Sequence, residues 1–135
     1  MVGDSGAVYL DASALVKLIL PEAETEALRA FLADKPHRLS SRIAEVEVTR
    51  AVGRIAQPGD AAQVRLVLSG LQFIELDADT TEVAGSLAPA RLRSLDAIHL
   101  ASALAVAPEL EAFVTYDARL AEATRAAGLE VVVPA

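Results

Sequence analysis

A chain of 135 residues, 53% hydrophobic and 23% charged with a mean hydropathy of +0.39, has the composition of one compact domain and excludes an intrinsically disordered polymer. The absence of cysteine excludes disulfide frameworks, zinc–thiolate sites and thiol nucleophiles, so any metal must take oxygen or histidine ligands. No run approaches the roughly 20 apolar residues that span a bilayer, Met1-Val2-Gly3-Asp4 carries no basic segment followed by an apolar one, and a net charge of −7 argues against gripping nucleic acid by overall electrostatics. A cytoplasmic protein without membrane attachment is expected.

Val8-Tyr9-Leu10 predicts a strand ending at Asp11, and Ser13 opens a helix with Ala14, Leu15, Leu18 and Ile19 on its apolar face. Pro21 ends that helix and suits the start of the next, in which Glu22 and Glu24 complement the positive end and Leu28, Phe31 and Leu32 form the buried stripe. Arg38-Leu39-Ser40 predicts a short strand, after which Ser40 or Ser41 caps a helix from about Arg42 to Ala56, terminated by Pro58-Gly59-Asp60. A helix follows from Ala61 to Gly70, then a strand over Phe73-Ile74-Glu75-Leu76, then a helix capped between Asp77 and Thr80 that runs to Leu87, before Pro89. Ser94 is expected to cap a helix carrying Leu95, Ile98, Ala101 and Leu104. Ala112-Phe113-Val114-Thr115 is a strand, Asp117 starts a helix to about Ala127 that Gly128 caps, and Val131-Val132-Val133 is the last strand. Short apolar strands alternating with helices predict an α/β fold, a three-layer sandwich with a central parallel β-sheet flanked by helices, residues 1–135 forming one domain.

Ligands of open α/β sheets bind beyond the carboxyl ends of the strands, so acids there are the first candidates for chemistry. Asp11 follows the first strand, Asp117 follows Phe113-Val114-Thr115-Tyr116, and Asp96 lies in the first turn of the Ser94 helix. Helix capping accounts for any one of them alone, but three at one edge ask for more. A fourth acid should come from the helix after Ser41. At about 100° per residue, Ala44, Val48, Ala51, Val52 and Ile55 form one apolar arc with Glu47 on one border and Glu45 near the other, so both remain open. Glu47 shares its border with Arg50 and Arg54, a mixed edge that suits a metal beside a phosphate, although an intrahelical Glu47–Arg50 pair explains the same spacing.

Two carboxylates about 4 Å apart repel by about 4 kcal/mol at an effective dielectric of about 20, and cations relieve that repulsion. All-oxygen ligands select Mg²⁺, for which Mn²⁺ can substitute, and both ions also bind phosphate oxygens. The chemistry to expect is phosphodiester cleavage by metal-activated water, with no side-chain nucleophile.

These residues resemble the PIN-domain ribonucleases, in particular the VapC toxins of bacterial VapBC-type (type II) toxin–antitoxin systems, over nearly the whole chain. Tyr9-Leu10-Asp11-Ala12-Ser13-Ala14-Leu15-Val16-Lys17 is similar to the family's first motif, in which the Asp binds metal and the hydroxyl residue two positions on orients it, here Ser13. Ser40-Ser41-Arg42-Ile43-Ala44-Glu45-Val46-Glu47-Val48-Thr49-Arg50-Ala51 resembles the second, whose acid precedes an Arg by three positions; that register selects Glu47. Leu92-Arg93-Ser94-Leu95-Asp96-Ala97-Ile98-His99-Leu100-Ala101-Ser102-Ala103 and Phe113-Val114-Thr115-Tyr116-Asp117-Ala118-Arg119-Leu120 resemble the third and fourth. The resemblance implies a PIN-like sandwich, Asp11, Glu47, Asp96 and Asp117 as the catalytic, metal-binding acids, RNA as substrate, a VapB-type antitoxin as partner, and a homodimer.

Thr115 is expected to support the site through its hydroxyl, although a β-branched residue also suits a strand. Arg50 and Arg93 are the first candidates for phosphate contacts. His99 is expected to pack and His37 to be solvated. With 4% aromatic residues a base-stacking platform is poorly supplied, so recognition should rest on shape and phosphates. The helical hairpin with Leu18, Ile19, Leu28 and Phe31 offers a groove for an antitoxin helix, unless core packing uses those residues.

Three rival readings remain. A receiver-like Mg²⁺-binding phosphoacceptor domain needs an acidic pair where Leu10-Asp11 stands and a late lysine, whereas Lys17 and Lys35 both lie early. A haloacid-dehalogenase-type phosphatase needs an Asp where Ser13 stands. A catalytically inactive PIN-like interaction module predicts neither metal binding nor cleavage. Cleavage of DNA is chemically open, because a metal-activated water needs no 2′-hydroxyl.

Overall fold

The computed structural model describes residues 6–55 and 57–135. Residues 1–5, read above for a leader, and Ala56, the expected end of a helix, lie outside the described residues.

Five parallel strands, β1 (Ala7–Leu10), β2 (Arg38–Ser41), β3 (Gln72–Ile74), β4 (Leu110–Val114) and β5 (Val131–Val132), form one sheet in the order β3-β2-β1-β4-β5. Seven α-helices accompany them among the described residues: α1 (Ala12–Ile19), α2 (Thr25–Leu32), α3 (Ala44–Gly53), α4 (Asp60–Ser69), α5 (Ala78–Ser86), α6 (Ser94–Ala105) and α7 (Ala118–Ala126). Alternation along the strands sorts the core into two layers. Val8, Leu10, Ala112 and Val114 pack with Ala14 and Leu15 of α1, Leu28 and Leu32 of α2, Ala44, Val48 and Val52 of α3, and Val64 of α4. Ala7, Tyr9, Leu39 and Phe113 face the other way, against Leu100 and Ala103 of α6 and Leu120 and Ala123 of α7. This is the expected three-layer α/β sandwich.

The chain leaves β1 for β2 on one side and later returns, through α5 and α6, to place β4 on the other. Beyond the carboxyl ends of β1 and β4 lies the switch point, where the α1 and α7 N-termini also open.

Several expectations shift. The β3 strand ends at Ile74 because its partner β2 ends at Ser41, leaving Glu75 to pair with Arg42 and Leu76 exposed. The helix expected over 42–56 is α3, only Ala44–Gly53, so Ile55 falls beyond it and is 62% exposed instead of joining the buried arc. Ser41 Oγ accepts from Ile43 N in the turn before α3, while Ser40 Oγ donates to Leu10 O instead of capping. Ser94 does not cap α6: it is the first helical residue, and Arg93 holds the cap position without a side-chain bond. Leu28 and Ile19 are core residues, with the partly buried Leu18 and Phe31 packed against them.

Candidate functional site

Asp11 follows β1 and is 3% exposed. It caps α1, its Oδ1 accepting from Ala14 N at 3.0 Å and Ser13 Oγ at 2.7 Å, while Oδ2 accepts from Thr115 Oγ1 at 2.6 Å. Both hydroxyls are themselves fixed: Ser13 Oγ accepts from Tyr116 N at 2.9 Å, and Thr115 Oγ1 accepts from Asp117 N at 3.0 Å. Two side-chain hydroxyls thereby lace the turn after β1 to the turn after β4. Burial pushes the Asp11 carboxyl up from its ordinary range, and the hydrogen bonds from Thr115 and Ser13 pull it back.

Asp117 caps α7, with Oδ1 accepting from Arg119 N at 2.9 Å and Leu120 N at 3.0 Å. Its Oδ2 faces Arg93 Nη2 at 3.6 Å, and Arg93 Nε stands 3.7 Å from Asp96 Oδ2. One guanidinium thus sits between two carboxylates at charge-contact distance, longer than a hydrogen bond. Burial raises the Asp96 carboxyl and the Asp117 charge raises it further, with Arg93 opposing both; Asp11 adds a smaller upward push. Arg93, a candidate for phosphate, stands in this structure as the countercharge of this pair, because two half-buried carboxylates attract a nearby cation.

Tertiary contacts distinguish the two candidates for the fourth acid. Glu45 pairs with Arg42 at 3.1 Å on the surface, whereas Glu47 Oε1 meets His99 Nε2 at 2.6 Å. His99 comes from α6 and Glu47 from α3, so helices on opposite faces of the sheet meet over its carboxyl edge. His99 is only 1% exposed, as packing requires, but its Nδ1 also contacts the Tyr9 hydroxyl at 2.7 Å, and that hydroxyl accepts from Ser41 N at 3.1 Å. Burial drives the Tyr9 phenol far above its ordinary range, so it is a proton donor. Tyr9 and His99 are the residues that reading the sequence missed. Their signal was weak: Tyr9 alternates into the core with Ala7, and His99 lies one turn after Asp96.

Arg50 and Arg54 line a groove of about 640 Å³ together with Ser13, Glu47, Leu95 and Tyr116. Arg50 therefore lines the same groove as Glu47. Among the described residues, no three Asp, Glu or His side chains are arranged to hold one metal ion as they stand. Each acid is engaged: Asp11 by hydroxyls, Glu47 by His99, and Asp96 and Asp117 by Arg93. The donors nevertheless fit a hard divalent cation. They are carboxylate oxygens, the charges of Asp117 and Asp11 push the Asp96 carboxyl up, and a cation already stands between two of them on a side chain that is 72% exposed and free to turn away.

The PIN-domain profile matches residues 8–126, from β1 to the end of α7. The chain belongs to the PIN-domain family. It is 41% identical over 131 residues to Ribonuclease VapC47 of Mycobacterium tuberculosis, covering 94% of this chain and 96% of that protein. Ribonuclease VapC35 of the same organism is 46% identical over 132 residues, with the same coverage. Among solved structures, a toxin–antitoxin complex from Klebsiella pneumoniae contains a chain that superposes with a TM-score of 0.72 at 25% identity, covering 95% of this PIN-domain chain and 98% of its own length. No helix among the described residues is long and apolar enough to cross a membrane.

Proposed function

We propose that this PIN-domain protein is a metal-dependent endoribonuclease, the toxin of a VapBC-type pair, and that Asp11, Glu47, Asp96 and Asp117 form its active site. The carrying observation is the guanidinium held between Asp96 and Asp117 at the switch point: a cation-demanding acid pair beside the buried Asp11, in a chain so similar to proteins named as ribonucleases. Asp11, Asp96 and Asp117, with Glu47, would hold Mg²⁺, or Mn²⁺ in its place, since all four offer hard oxygens. When bound, the ion supplies an activated water and charge neutralisation for in-line displacement at a phosphodiester.

The protein's own contribution is positioning. Ser13 and Thr115 hold Asp11 in one rotamer, and capping holds Asp117 so that only Oδ2 points outward. Arg50 and Arg54, beside Glu47, take phosphate oxygens of the RNA strand. Arg93, on its exposed side chain, would be a further phosphate contact. A cognate VapB-type antitoxin and a second copy of the chain are the proposed partners, in keeping with exposed Val46 and Leu95 at the groove and Ile55 just past α3.

The test is cleavage of total cellular RNA by purified protein freed of copurifying partner, with Mg²⁺, Mn²⁺ or EDTA, beside Asp11→Asn and Asp96→Asn. Discrete fragments that need metal and vanish in both variants are expected. Absence of cleavage together with no Mn²⁺-induced rise in melting temperature would overturn the reading in favour of a catalytically inactive interaction module.

A further inference from the structure

We infer that Tyr9 and His99 form a positioning relay that sets Glu47 for the metal ion, a role that rests on the proposed metal site. The relay is a chain of donors with no free end. Glu47 as a carboxylate has no proton to give, so His99 Nε2 carries the proton of the 2.6 Å bond; Nδ1 is then an acceptor, filled by the Tyr9 hydroxyl at 2.7 Å. That hydroxyl in turn accepts from Ser41 N at 3.1 Å, at the end of β2. Every ring nitrogen has one partner and one tautomer satisfies them all.

The relay is anchored where the fold is least able to move. The Tyr9 ring stacks on Phe113 with centroids 4.9 Å apart and an interplanar angle of 11°, and the His99 ring meets Tyr9 edge-on at 5.8 Å. Tyr9 belongs to the central strand β1, two residues before Asp11, so the strand that places Asp11 also fixes the group behind Glu47. Glu47 itself starts from a weaker position. It stands in the first turn of a ten-residue helix whose side chain would otherwise sample several rotamers, and the bond from His99 leaves one orientation with Oε1 toward the relay and Oε2 free. A buried histidine that served packing alone would not direct its donor at an acid from the opposite helical layer.

The experiment measures Mn²⁺ binding directly, from the electron paramagnetic resonance signal of free Mn²⁺, with melting curves in EDTA as a check on folding. His99→Asn keeps an amide near Nδ1 and loses the donor to Glu47; His99→Gln places an amide nitrogen near Nε2 and retains it. His99→Asn is expected to weaken Mn²⁺ binding about 10- to 100-fold, as supporting residues of metal sites do. Glu47→Gln should weaken it comparably, the double variant no further than either single one, and His99→Gln should recover most of the loss. Wild-type affinity in His99→Asn, or losses that accumulate fully in the double variant, would overturn the relay. Should His99→Asn fail to fold, Tyr9→Phe decides: it keeps the ring stack, removes only the hydroxyl, and must still weaken Mn²⁺ binding. Loss of binding in Asp96→Asn with none in Glu47→Gln would overturn the relay and leave the other three acids standing. A wild-type chain that takes up no Mn²⁺ would sink both this inference and the proposed metal site.

Discussion

Asp11 and the Asp96–Asp117 pair occupy one edge of the sheet yet are held by opposite means. Around Asp11 the fold supplies fixed, buried neutral donors: two hydroxyls and a helix N-terminus. The α7 N-terminus holds Asp117 Oδ1, but the outward Oδ2 atoms of Asp96 and Asp117 meet one charged group on a long, exposed stem, at distances too great for hydrogen bonds. The first arrangement is part of the architecture, since removing it leaves a buried charge unpaired. The second is provisional, an internal cation that a better cation can replace. An acid site that must be stable empty and receptive when filled needs both.

Four expected outcomes bear on that contrast. The largest is for Asp96→Asn, which should abolish RNA cleavage in a fragment assay while the metal-free protein melts no lower than wild type, because the substitution removes a charge that burial and Asp117 both disfavour. A clear drop in apo melting temperature would mean that Asp96 is structural. Next, Thr115→Val strips the donor from Asp11 Oδ2 and the acceptor from Asp117 N, and should cost about 1–3 kcal/mol in urea unfolding, with Thr115→Ser much milder. If Thr115→Val unfolds like wild type, Asp11 is not held as described.

Arg93→Gln should tighten Mn²⁺ binding by a few-fold only, because an exposed charge is screened, and the gain should shrink in high salt. Weaker Mn²⁺ binding would make Arg93 a helper of the ion and not its placeholder. The smallest effect is on pH dependence. Asp11 and Asp96 have carboxyls raised by burial in the folded state, so the folded chain binds more protons than the unfolded one above the ordinary carboxylate value of 3.8. Their contribution is therefore complete at acid pH and is lost as pH rises through the folded values. Because Glu24, Glu75 and Asp77 shift the other way, the readout is a difference: Asp96→Asn should flatten the decline relative to wild type in EDTA. An unchanged slope would contradict the direction given for Asp96.

How much of this was readable from the sequence depended on the range of the interaction concerned. Asp11 and Asp117 were legible because a strand followed by an acid and a helix is a local pattern, and both do cap helices. Periodicity alone left Glu45 and Glu47 open, since it puts both on the borders of α3, and only the family resemblance pointed to Glu47; the contact that sets Glu47 apart is with His99, 52 residues away. The contact of Arg93 with Asp117 was hidden for the same reason, Asp117 being brought near by the β1–β4 pairing. Ile55 shows the limit in the other direction: a regular apolar spacing overran a helix that stops at Gly53.

The lacing of Ser13 and Thr115 also sets an order in time. Asp11 is made well before its partners: Thr115, which bonds to it, and the β4 strand that lies against β1, follow about a hundred residues later. Contacts so distant in sequence form only after the loop between them has closed. A nascent chain still missing β4 therefore has no assembled acid site.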